Sequence, residues 1–318
     1  MTDRGAERIV SLLPSATEIL FAIGAGDRVV AITHECDYPA EAQHLPRVTA
    51  NALPNEGQPS AVIDRHIRKA RHDGSSIYLL DEVQLAELQP DLIVTQELCD
   101  VCAVNYAVVE QAVRRLPGDV PVISLEPTSL EDIVATVLVL GRATGCERGA
   151  EQVAAAMRER FAVVQSLSAP SPLRSVACIE WTDPIMAGGH WVPEMVALAG
   201  GRDALGRAGL PSHDMTWDEV IAAAPDVMVL MPCGFGLERT MQASHDITAR
   251  PGFEELPCGR SGRVVAVDGS SYFNRPGPRI ATGLEILAAA ARSEPGDRLP
   301  AGAQWVPVPS HSPVATAG

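Results

Sequence analysis

Short apolar runs alternate with longer stretches of helical spacing, and that alternation sets the first expectations. Arg8–Leu12, Arg28–Thr33, Asp91–Thr95 and Val120–Leu125 are aliphatic, partly β-branched runs of strand length. Between them, Ser15–Gly24, Asp81–Leu88 and Val104–Leu116 carry the helical period. Ser15, with Glu18 three residues on, predicts a helix cap, and Gly24 or Gly26 predicts the end of that helix. Pro90 stops the helix that starts at Asp81. Strands alternating with helices predict a mainly parallel sheet.

The pattern changes at Thr128. Ser129 predicts the cap of a helix running to about Thr144, and a second helix, Glu147–Leu167, follows with no strand between. At ~1.5 Å per residue that second helix spans roughly 30 Å. It reads either as one more packing helix or as a rigid connector between two lobes. Ala169-Pro170-Ser171-Pro172 breaks it, and the alternation then resumes. Arg174–Glu180, Asp226–Met231 and Arg263–Asp268 read as strands, and Pro193–Ala199, Trp217–Ala224 and Arg279–Ala291 as helices. The tail from Glu294, rich in Pro, Ala, Ser and Gly, predicts loose order.

The second half echoes the first. LAELQPDLIVTQ matches VIAAAPDVMVLM, which pairs Pro90-Asp91 with Pro225-Asp226. EILFAIGAG from Glu18 matches EMVALAGG from Glu194, and VPVISLEP near Glu126 resembles GRVVAVDG near Asp268. Matches in the same order predict an α/β fold of two Rossmann-like lobes with mainly parallel sheets, joined by one long helix. The expected division is 1–145 for the first lobe, 146–168 for the linking helix, 169–294 for the second lobe and 295–318 for the tail.

Composition narrows the partners. The chain has 318 residues, 46% of them hydrophobic, enough for two cores. Acidic residues outnumber basic ones by 40 to 25, a net charge of −15, which disfavours nucleic acid and anionic membrane surfaces. No run approaches the ~20 apolar residues of a spanning helix. The start, MTDRGAERIVSLLPSATEIL, has Asp3 and Glu7 where a secretory signal needs basic residues, and Pro14 ends its short apolar run. As written, the chain predicts a cytoplasmic protein. Its seven cysteines are an odd number, and in that setting they stay reduced.

In open α/β sheets, ligands lie outside the carboxyl ends of the strands. In the first half that rule selects Pro14 and Ser15, the loop of His34, Glu35, Cys36 and Tyr38, and Glu97. In the second half it selects Trp181, the loop of Gly189, His190 and Trp191, Cys233 and Phe235, and Tyr272, Phe273 and Arg275. Aromatic residues are only 4% of the chain, so their clustering at these ends is informative. Trp181, Trp191, Phe235, Tyr272 and Phe273 would give one wall of a cleft a flat apolar face, suited to a large planar or macrocyclic ligand. Equally, they would serve as the core of the second lobe. Arg275 and Arg279 either bind an anionic ligand group or close the cleft rim against acidic residues. Gly24-Ala-Gly26 follows a helix rather than a strand and is no dinucleotide loop. Ser15 lacks a nucleophile elbow. No catalytic constellation emerges.

RIVSLLPSATEILFAIGAGDRVVAITHECDYP, the PDLIV strand, the connector helix, the GG-x-W loop of Gly188–Trp191 and AAPDVMVL together resemble the cobalamin- and siderophore-binding proteins of ABC importers. The resemblance covers roughly residues 8–292 and is strongest to the cobalamin-binding branch; SLLPSATEIL is its most specific motif. It implies two lobes held nearly rigid by one long helix, a corrinoid such as cobalamin sandwiched between them, no catalysis, and an ABC permease whose arginines receive an acidic residue from each lobe. The reading of the N-terminus predicts no leader before the first strand, a departure from that family, so storage or chaperoning inside the cell stands beside uptake.

A second departure is its wealth of thiol and imidazole. Cys99 and Cys102 form a C-x-x-C, and His34 and Cys36 lie one strand away. Together they offer the four N/S ligands that tetrahedral zinc prefers, which makes a metal-dependent enzyme or metal carrier the alternative function. Buried structural cysteines or a redox pair account for the same residues. His34 or His190 could instead ligate a corrinoid cobalt. A haem or siderophore ligand is the third possibility.

Overall fold

A computed structural model describes residues 5–53, 57–73, 77–97, 106–167 and 173–308. The first half contains β1 (Ile9–Ser11), α1 (Pro14–Ala22), β2 (Val29–Ile32), β3 (Thr49–Asn51), α2 (Ser60–His72), β4 (Tyr78–Leu80), α3 (Glu82–Glu87), β5 (Leu92–Thr95), α4 (Tyr106–Val113) and β6 (Val122–Ser124). Two helices follow, α5 (Leu130–Thr144) and α6 (Glu147–Ser166). The second half contains β7 (Ser175–Thr182), β8 (Ile185–Ala187), α7 (Val192–Leu198), β9 (Arg202–Asp203), β10 (His213–Met215), α8 (Trp217–Ala223), β11 (Val227–Leu230), α9 (Leu237–Ala243), α10 (His245–Thr248), α11 (Pro257–Ser261), β12 (Val264–Val267), α12 (Gly269–Tyr272), α13 (Ile280–Arg292) and β13 (Ala303–Trp305).

The first sheet is parallel throughout, in the order β2-β1-β5-β6. Every residue of β1 and β5 is buried, as expected of parallel strands covered on both faces. The second sheet runs β10-β8-β7-β11-β12-β13. Its centre, β7-β11-β12, is parallel, whereas β8, β10 and β13 are antiparallel to their neighbours. The start of β7 pairs with β9 and its end with β8. Two mainly parallel sheets in one α/β chain give the two-lobed architecture.

The internal repeat has a physical basis. β1, β5 and β6 stand side by side in one sheet exactly as many places apart as β7, β11 and β12 in the other. Each Pro-Asp carboxylate ties down the strand beside it. Asp91 accepts hydrogen bonds from the backbone N–H groups of Glu7 (2.9 Å) and Arg8 (2.8 Å), while its own N–H donates to the Arg8 carbonyl. Asp226 accepts from the Ser175 N–H at 2.8 Å and donates its own N–H to the Ser175 carbonyl. A carboxylate is needed because these N–H groups lie at the strand's start, where the ladder does not use them.

α5 begins with the capping box of Ser129 and Asp132 and ends at Gly145 in the left-handed region. α6 buries Ala150, Ala154, Met157 and Val164 along one stripe and packs on α5 and α13. Its Gly149 backs onto the carbonyl of Ile23, where a Cβ would sit 2.1 Å from that oxygen, so only glycine lets α6 lie against the end of α1. One buried cluster runs from Ile9 and Leu13 through Met157 to Met195 and Phe273, so the middle helices and both halves share a core. Among the described residues no helix is long and apolar enough to cross a membrane.

Two expectations need correction. The first helix starts at Pro14, whose missing N–H suits the first turn, so Ser15 lies inside it and makes no cap. Glu18 is then free for another partner. The tail is ordered at least as far as residue 308: β13 pairs with β12, Val306 is buried, and the Trp305 indole donates to the Asp297 carbonyl at 2.9 Å. An uncovered β12 would be an open sheet edge, which the tail removes. Finally, β3, α2 and β4 fill a stretch for which the periodicity was not resolved into elements.

Asp91→Ala and Asp226→Ala are each expected to lower the free energy of unfolding by ~1–3 kcal/mol, because each leaves strand-start N–H groups unpaired. The two sites share no partner, so the losses should add. Urea unfolding of both single variants and the double variant checks this.

Candidate functional site

The carboxyl ends of the two sheets are turned toward one another, and two sets of contacts join them. The first set lies where α1 follows β1. Arg279, the residue before α13, donates to the Glu18 carboxylate through Nε (2.9 Å) and Nη2 (2.5 Å). Arg275 donates to the Asp37 carboxylate and, at 3.0 Å, to the Glu35 carbonyl. Glu18 is 2% exposed. Burial pushes its carboxyl up, and the Arg279 hydrogen bonds pull the other way. The Tyr38 ring lies under the Arg279 guanidinium, 4.2 Å from it.

Glu194, the counterpart of Glu18 in the repeat, makes the reciprocal contact. Its carboxylate accepts from the Leu130 N–H at 2.8 Å, at the first turn of α5. Each repeat glutamate thus reaches the start of a long helix beyond the other half's third repeat strand, α13 after the short α12 in one case and α5 in the other, where a negative charge is favoured by the free N–H groups and the helix dipole.

The second set of contacts is made by α2. Ile63 packs with Trp181 and Phe235, bordered by Ile67, Met186 and Ala243. Trp181 and Phe235 meet as a tilted pair with centroids 5.2 Å apart. The Thr182 hydroxyl donates to the Ser60 hydroxyl at 2.8 Å, and Arg239, stacked on Phe235, donates to the Gln58 carbonyl at 3.0 Å. Beside these groups lies a cavity of about 630 Å³ between residues 57–60 and the stretch from Phe235 to Asp246.

The expected site residues fall into three groups. Trp181 and Phe235 stand at facing strand ends, as do His34, Glu35, Tyr38 and Arg275. The His34 ring is held by Thr49 at 2.7 Å from Nδ1 and packs on Tyr78, with Nε2 3.3 Å from Glu35. That imidazole contact holds the Glu35 carboxyl below the usual range, burial opposing it. A second group is packing rather than wall. Pro14 and Ser15 are buried in α1, Phe273 is fully buried, and the Trp191 indole donates to the Phe273 carbonyl at 2.9 Å within the main core. A third group stands apart. Glu97 is exposed, with its N–H bound to Glu126, and Tyr272 is partly buried near Arg279.

The Gly188–Trp191 loop is built against Leu210–Ser212. A Cβ on Gly189 would lie 2.3 Å from the Ser212 nitrogen, and His190 sits at φ +50° with its N–H on the Leu210 carbonyl. Ser212 bridges the Gly189 N–H and the Glu180 carboxylate, whose carboxyl is pushed up by burial. Cys233 donates its N–H to the Glu180 carbonyl. Burial also lowers the His190 imidazole, which favours its neutral form.

The zinc expectation finds no support. Cys99 and Cys102 lie outside the described residues. Among the described residues no three His, Cys, Asp or Glu groups are arranged to hold a metal ion. The Cys36 sulfur is 3.1 Å from the Thr17 hydroxyl, and burial pushes its thiol up to about 11.

The sequence pattern described as "Periplasmic binding protein" matches residues 9–270. The chain belongs to the periplasmic binding protein family. The vitamin B12-binding protein of Vibrio cholerae is 24% identical over 289 residues, which cover 88% of this chain and 87% of that one. The crystal structure of the periplasmic vitamin B12 binding protein BtuF of the same organism superposes with a TM-score of 0.67 at 22% identity, covering 91% and 97% of the two chains. The periplasmic heme-binding protein RhuT from Roseiflexus sp. RS-1 has a TM-score of 0.67 at 27% identity, with 90% and 98% covered.

In this periplasmic binding protein, Arg275 and Arg279 do close on acidic residues, one of the two roles expected of them, but sequence reasoning did not name Glu18 as the partner of Arg279 and missed the whole of α2. Glu18 was visible inside the SLLPSATEIL motif but reads there as a capping residue. Ile63, Ile67 and Ala70 carry helical spacing and would have marked α2.

Arg279→Ala leaves a buried carboxylate without its guanidinium and is expected to cost about 3 kcal/mol at pH 7. The loss raises the folded-state pKa of Glu18 further above its unfolded value of ~4.3. The folded protein then holds the proton more tightly than the unfolded chain. The cost is therefore smallest below about pH 4, where Glu18 is protonated in both states, and grows as pH rises. Urea unfolding of wild type and variant from pH 4 to pH 8 measures it; a pH-independent loss would assign the effect to packing.

Proposed function

We propose that this chain is a binding protein that holds a corrinoid of the cobalamin type between its lobes, for uptake or for handling inside the cell, and that it catalyses no reaction. The observation that carries the reading is the match to vitamin B12-binding proteins along almost the whole of both chains. The division we assign is a first lobe to residue 145, a linking helix over 146–168 and a second lobe over 169–294.

The chemistry at the facing strand ends supports a planar ligand. Trp181 and Phe235 supply an aromatic face, and a corrin ring presents a broad, largely apolar plane to it. Around that face the second half supplies donors and acceptors, Arg239 and Gln242 with Glu238 and Asp246. Peripheral carboxamides of a corrinoid need both kinds of partner. We further assign His34, Glu35, Tyr38 and Arg275 to the opposite rim. An ABC permease is the partner this reading implies, met through acidic residues on each lobe. RhuT supplies the competing reading, a haem ligand, whose propionates would need basic partners.

Titration with cyanocobalamin and with cobinamide is expected to give one-to-one binding and a shifted cobalt absorption band. Trp181→Ala should weaken it about tenfold, the loss of one aromatic stacking contact worth ~1.4 kcal/mol. No heat and no spectral change with both corrinoids, together with saturable binding of haemin, would transfer the site to haem. Silence from all three would end the ligand reading.

A further inference from the structure

α2 belongs to the first half by sequence, yet the element it packs on most is β7 in the other sheet. Its apolar side chain Ile63, 5% exposed, lies on the aromatic face of Trp181 and Phe235, and Ile67 borders the same cluster. The helix therefore occupies the face on which a planar ligand would stack.

Its fastenings differ in kind from those on the other side of the gap. Arg68 bridges Asp64 of its own helix and Asp214 of β10, but both partners of the cross-gap pair are half exposed. Such pairs hold weakly in water. A hydroxyl–hydroxyl bond, Thr182 to Ser60, and a bond from Arg239 to the Gln58 carbonyl lie on the same side. On the α1 side, Glu18 and Arg275 are almost fully buried and cannot separate without stranding a charge. The joint that opens at lower cost is the one made by α2. The cavity beside it suits a drug-sized molecule, and a corrinoid is larger, so that side must widen on loading.

We propose that α2 is a detachable strap. In the unliganded protein it covers the Trp181–Phe235 face; a planar ligand takes that face and displaces the helix, while the Glu18–Arg279 side stays shut. The proposal rests on reading the gap as a ligand site, and its test separates the two.

Without any ligand, amide hydrogen exchange of the full chain should show α2 exchanging at least ~10-fold faster than α5, since local opening precedes global unfolding. Equal protection of α2 and α5 overturns the strap. A second arm cross-links it. The double variant Ser60→Cys, Thr182→Cys joins two side chains whose oxygens are 2.8 Å apart, within reach of a disulfide. Each single variant, treated with the same oxidant, controls for the native cysteines. Oxidised double variant should bind cyanocobalamin at least ~10-fold more weakly than the same protein after dithiothreitol, because the open state is withheld. Equal binding by the oxidised and reduced forms overturns the proposal, as does failure of the pair to cross-link. If wild-type protein binds neither corrinoids nor haemin, the ligand reading falls, and hydrogen exchange alone decides the strap.

Discussion

The arrangement depends on one buried ion pair. Glu18 sits at 2% exposure, and a carboxylate in that setting persists only if a cation meets it with hydrogen bonds. Arg279 does so with two. This contact decides how the strand ends of the two sheets face each other, because Glu18 follows β1 and Arg279 opens α13. Arg275 adds to the constraint from the same loop by reaching Asp37 and the Glu35 carbonyl. α6 packs on α5 and α13 inside the core that both halves share, and the ion pair adds a directional constraint at the facing strand ends.

The reciprocal contact of Glu194 with the start of α5 makes the constraint two-sided in origin. The two repeats use the same glutamate to different effect. One meets a guanidinium, the other a bare helix-terminal N–H. A duplicated unit would bring a glutamate to each position, and the partner available there would decide the chemistry. The Pro-Asp carboxylates belong to the same economy of design: Asp91 and Asp226 each bind the start of a neighbouring strand, so a short motif serves sheet assembly in both lobes.

Most of the fold was legible in the chain because its central strands are buried on both faces and some of its helices carry caps. The runs around Ile93 and Val229 are continuous and apolar, as parallel strands require, and Ser129 announced α5 by its capping box. Legibility failed where a residue's role depends on something far away in sequence. Glu18 three residues after Ser15 looks like a local cap, and nothing local points to Arg279. Val306 in a Pro-rich tail looks disordered until β12 needs an edge partner. The aromatic residues divided on the same principle. Trp181 and Trp191 both lie beside polar residues, and each indole donates to a backbone carbonyl, of Asp183 and Phe273, yet Trp191 lies in the main core whereas Trp181 meets a helix from the opposite lobe.

That last difference carries the functional argument. A tryptophan in its own lobe's core is held by neighbours that fold with it, and exposing it means unfolding. Trp181 is covered partly by its own lobe, through Phe235 and Met186, and partly by Ile63 across the gap. Only the second cover can be removed while both lobes stay folded. An aromatic face that is buried in this conditional way satisfies two demands at once. It avoids presenting an apolar patch to water, and on the proposed corrinoid reading it keeps a flat surface ready for a ring system. The polar clamp at Glu18 and the apolar contact at Ile63 are therefore complementary. The first gives the gap a fixed geometry, and the second gives it a state from which to open.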